Sequence, residues 1–67
     1  MALASDGWWS RHPADHVAAA RRWVRWRLLS DPHMTDAACD RFIASLDEDK
    51  RGDLVRRAVE GHSPAGF

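Results

Sequence analysis

A chain of 67 residues with ten basic and ten acidic side chains is one small domain without net charge. That balance argues against a wholesale polyanion binder, and the longest apolar runs are too short to span a bilayer. Cys39 is the sole cysteine, so there is no disulfide framework to stiffen a domain that buries only about 60% of its unfolded surface.

Met1 to Arg11 reads as a leader around Gly7, Trp8 and Trp9. Met1 to Ala4 is weakly apolar, but Asp6 interrupts it and no basic stretch precedes it, so no export signal is expected. Two adjacent indoles in a polar leader are costly to leave in water. Trp8 and Trp9 are expected to pack onto the bundle or onto a partner.

The first helix is predicted over residues 13–29. Pro13 suits the first helical position, Asp15 complements the dipole at the start, and Arg25 and Arg27 complement it at the end. At 100° per residue, Val17, Ala20, Val24 and Leu28 form one stripe, with Trp23 flanking it and Trp26 further round. Arg21, Arg22 and Arg25 make a basic edge opposite. Ser30, Asp31 and Pro32 end the helix.

The second helix is predicted over residues 36–46, capped by Thr35, with Ala38, Phe42, Ile43 and Leu46 buried and Cys39 beside them. The third is predicted over residues 50–60, with a start as early as Glu48 and Asp47 or Asp49 as its cap. Leu54, Val55, Ala58 and Val59 form its buried face, and Gly61 is its C-cap. Gly52 weakens this helix, and its presence points to a close helix crossing or to a later helix start. Residues 62–67 read as a frayed tail apart from Phe67, a candidate anchor. No segment alternates like a strand. The expected fold is all-α, a compact three-helix bundle with a short Trp-containing N-terminal leader.

Two patterns bear on function. Trp8, Trp9, Trp23 and Trp26 are many indoles for so small a core, and tryptophan is enriched at binding hot spots. This predicts a surface for another protein, or for a second copy of the chain, with Trp8, Trp9, Trp23 and Trp26 as anchors and Arg22 and Arg25 at the rim. The alternative is a DNA- or RNA-binding module using Arg21, Arg22, Arg25, Arg51, Arg56 and Arg57. Against it, Asp53 and Glu60 lie among the last arginines. The third helix also lacks the Asn, Gln or Ser that reads base edges.

Other constellations read as structural. His12 and His16 have the spacing of two ligands on one helical face, with His33, Cys39 or His62 to complete a zinc site. However, His12 precedes Pro13, and no CxxC or HExxH is present, so surface or capping histidines are expected and no metal or cofactor is implied. A Cys39–His33 or Cys39–His62 pair would need a pocket and an oxyanion hole that a bundle this small has little room for. The acidic run Asp47, Glu48, Asp49 and Asp53 lacks the calcium-loop pattern. The expectation is a non-enzymatic regulatory or adaptor protein in a reducing cytoplasm. Nine arginines against one lysine, and no Asn, Gln or Tyr, suggest a GC-rich bacterial or phage background. Phage- or plasmid-type inhibitors of host proteins share this general look.

Overall fold

Pro13, with φ −59° and ψ 150°, turns the chain into its first long helix. The computed structural model describes residues 7–67, so residues 1–6 of the predicted leader lie outside the described residues. A 3-10 turn over Trp8–Arg11 comes first. Helix α1 spans Ala14–Arg22 and continues directly into a π-helical turn over Trp23–Leu28. Helix α2 spans Asp36–Ala44 and helix α3 spans Glu48–Glu60. Among the described residues the structure is all-helical, with three helices and no strand.

The caps explain the boundaries. The Ala38 amide donates to Thr35 Oγ1 at 3.1 Å, and the Lys50 amide donates to Asp47 Oδ1 at 2.8 Å. Because Asp47 is the cap, α3 begins at Glu48 rather than at Lys50. Gly61, at φ 77°, closes α3 in the left-handed conformation that glycine adopts without strain. Helix α2 stops two residues before the predicted end. Ser45 Oγ donates to the Phe42 carbonyl at 2.6 Å, and the Leu46 amide bonds Ile43 O at 3.2 Å, tightening the last turn. Arg51 then satisfies the exposed C-terminal carbonyls of this hairpin, donating to Ile43 O, Ala44 O and Leu46 O.

The predicted first helix forms as one rod, but its second half is π-helical. The Leu29 amide reaches back five residues to Val24 O at 2.9 Å. Ser30, at φ 53°, then takes the left-handed position that reverses the chain.

The core comprises Trp8, Val17, Ala20, Trp23, Val24, Cys39, Ile43, Leu54 and Val55. The principal packing is α1 against α3, with α2 and the 3-10 turn closing one side. Four local expectations are corrected. Cys39 is central to the buried face of α2, whereas Phe42 and Leu46 are half-buried. Val59 is exposed rather than part of the buried face of α3. A Cβ on Gly52 would meet nothing within 4 Å, so Gly52 serves no close helix crossing, and α3 has already begun before it. Finally, residues 62–67 fold back. Trp23 Nε1 donates to His62 O at 2.8 Å, and the Phe67 ring stands edge-on to Trp23 at 5.6 Å. Arg57 holds the carbonyls of Ser63 and Ala65, and the Lys50 ammonium donates to Phe67 O.

Candidate functional site

The four tryptophans have different fates. Trp8 is buried, and its Nε1 donates to Asp40 Oδ1 at 3.3 Å. Trp9 is half-buried and meets Trp8 edge-on at 6.5 Å. Its indole lies across Gly7, where any Cβ would collide with the ring. Trp23 is buried beneath Phe67 and the folded-back tail. Only Trp26 is widely open to solvent, at 57% exposure.

The two indoles lie three residues apart on the π turn, yet Trp23 enters the core while Trp26 faces solvent.

The arginines divide as sharply. Arg21 grips Asp40 with two bonds of 2.8 Å, Nε to Oδ1 and Nη2 to Oδ2, and this pairing raises the guanidinium pKa. One turn on, Arg25 donates to Met34 O at 2.7 Å and to Asp36 Oδ1 at 2.6 Å, again raising its pKa. Arg56 bonds Asp53 and Glu60, and Arg57 bonds Asp53 and lies over the Phe67 ring. The hydrogen bonds from Arg57 and Arg56 push the Asp53 carboxyl below its ordinary range. Arg51 is committed to the carbonyls after α2. Of the six arginines expected to meet nucleic acid, only Arg22 has no ion-pair or hydrogen-bond partner among the described residues. Arg27, in the π turn, shares that state, which local spacing does not reveal.

Arg22, Trp26 and Arg27 border one open groove of about 220 Å³. Its floor is small, made by Ala19, Ala58 and Gly61, with the edge of Trp23 at its base. No acidic side chain lines it. A larger hollow of about 720 Å³ lies between the 3-10 turn and the α2–α3 connection. Its lining carries both signs of charge, Arg11 and Glu48 standing exposed 3.9 Å apart, and Arg51 is spent on backbone carbonyls. The charges lining the groove at Trp26 are arginines alone.

The remaining candidates have structural surroundings. His12 packs on Trp8 at 5.8 Å, and His62 Nε2 lies 3.0 Å from Glu60 Oε1. Among the described residues no cluster of three His, Cys, Asp or Glu side chains is placed to hold a metal ion. Cys39 is fully buried, and burial pushes its thiol pKa up, away from the reactive thiolate. No helix among the described residues is long and apolar enough to cross a membrane. The chain matches no known protein family, no curated protein and no solved structure.

Proposed function

We propose that this protein is a small non-enzymatic regulator or adaptor that binds another protein through the groove at Trp26. The supporting observation is the pairing of a 57%-exposed indole with two arginines, Arg22 and Arg27, that have no partner among the described residues. Exposed tryptophan beside arginine is the composition of an interface hot spot. Trp26 is the anchor in this reading, and Arg22 and Arg27 orient the partner from the rim. Trp23 contributes from beneath, at the base of the groove, while Trp8 is core elsewhere and Arg25 contributes by holding α2 in place.

A nucleic-acid role is less well supported. Phosphate binding needs several free cations on one face, and the arginines of α3 are occupied by Asp53, Glu60 and backbone carbonyls. The lone, buried Cys39 fits a reducing cytoplasm, the compartment this reading assigns.

The test is photo-crosslinking in the producing cell with p-benzoylphenylalanine in place of Trp26, and at exposed Ala37 as a control. A protease-sensitive, nuclease-resistant adduct formed from position 26 alone is the expected outcome. A nuclease-sensitive adduct, or equal labelling from both positions, would contradict it.

A further inference from the structure

We infer that the groove at Trp26 takes an acidic segment of a different protein, one that presents a single bulky apolar side chain flanked by carboxylates. This rests on the protein-binding reading above and specifies the partner's chemistry. Three features of the groove lead to it.

The first is charge. The whole chain is neutral, and α1 with its π turn carries four arginines, Arg21, Arg22, Arg25 and Arg27. Asp40 and Asp36 of α2 consume Arg21 and Arg25. Arg22 and Arg27 are left on the groove, with no acidic side chain lining it. A complementary partner supplies the missing carboxylates.

The second is shape. A volume of about 220 Å³ over Ala19, Ala58 and Gly61 accommodates one large apolar side chain laid against the Trp26 indole. It is too small to seat a helix in full. The third is placement. Arg22 and Arg27 both line this groove beside Trp26, so carboxylates on either side of the apolar side chain each meet one guanidinium.

A second copy is the poorer occupant. A two-fold contact through this groove would bring Arg22 and Arg27 toward their own counterparts, where like charges repel.

The experiment follows the indole N–H resonances by NMR, with Trp26 identified through Trp26→Phe. Two synthetic helical peptides serve as probes, one with glutamates a turn apart flanking a leucine and the other with lysines in their place. A short oligothymidylate is the third. The acidic peptide is expected to shift the Trp26 indole saturably, and the lysine peptide to leave it unmoved. Arg22→Glu with Arg27→Glu, both at solvent-exposed positions, is expected to weaken the acidic peptide at least about tenfold and to transfer binding to the lysine peptide.

Equal response to both peptides, or a silent Trp26 with the acidic one, would overturn the inference. So would a saturable shift with oligothymidylate alone, or self-association through the groove seen as a concentration-dependent Trp26 shift. If position 26 still crosslinks to protein in those cases, the binding reading stands and only the acidic partner is wrong. If it crosslinks to no protein, both fail.

Discussion

Asp40 gathers three parts of the chain at one carboxylate. Its oxygens accept from Trp8 of the 3-10 turn and from Arg21 of α1, while Asp40 itself belongs to α2. Asp53 plays a similar part within α3, accepting from Arg56 and Arg57, and its lowered pKa has a consequence for stability. A depressed carboxyl pKa contributes stability that is present above the unfolded value and lost as pH falls through the folded one. Folding stability is therefore expected to decline below about pH 4. Asp53→Asn should flatten that part of the pH profile, measured by urea unfolding across the acid range. An unchanged acid limb would show that Asp53 carries none of it. Thr35, Asp47 and Gly61 were legible as caps because capping depends on local chain geometry alone. Which indoles are buried was not legible, because that depends on the tail and the 3-10 turn closing over Trp23 and Trp8.

Among the elements, α1 and its π turn are held in register with α2 by charge pairs where the sequence shows only a basic edge. Arg21 pairs with Asp40 and Arg25 with Asp36, so the first partner advances four residues as the second retreats four. That is the pattern of antiparallel helices with i, i+4 charges on facing sides. It identifies the hairpin and removes Arg21 and Arg25 from the free surface, which composition alone could not do. The π turn left no trace in the sequence, since the apolar stripe Val17, Ala20 and Val24 fits an α-helix equally well. Helix α3 contains a residue that its packing does not require. Gly52 is helical, exposed, and has open space where a Cβ would stand. Gly52→Ala is expected to stabilise the protein by about 0.5–1 kcal/mol. Thermal unfolding checks this, and a lower midpoint would mean that the space is filled in solution.

For the molecule as a whole, a short chain builds its core by enlisting its ends. The described part of the leader contributes Trp8, and the tail contributes Phe67 against Trp23. The all-helical class and the order of elements were readable from periodicity and punctuation. The site was readable only in part. Trp26 and Arg22 were among the candidates, but their isolation from the other tryptophans and arginines emerges from long-range pairing, as does the role of Arg27. Folding absorbs Trp23 and leaves Trp26 exposed, which separates two substitutions three residues apart. The direct test is the urea-unfolding free energy of Trp26→Ser beside that of Trp23→Ala. Trp26→Ser should cost about 1 kcal/mol or less, as for an exposed position, while Trp23→Ala should cost about 3–5 kcal/mol. Equal losses from the two would place Trp26 in the core and contradict the account.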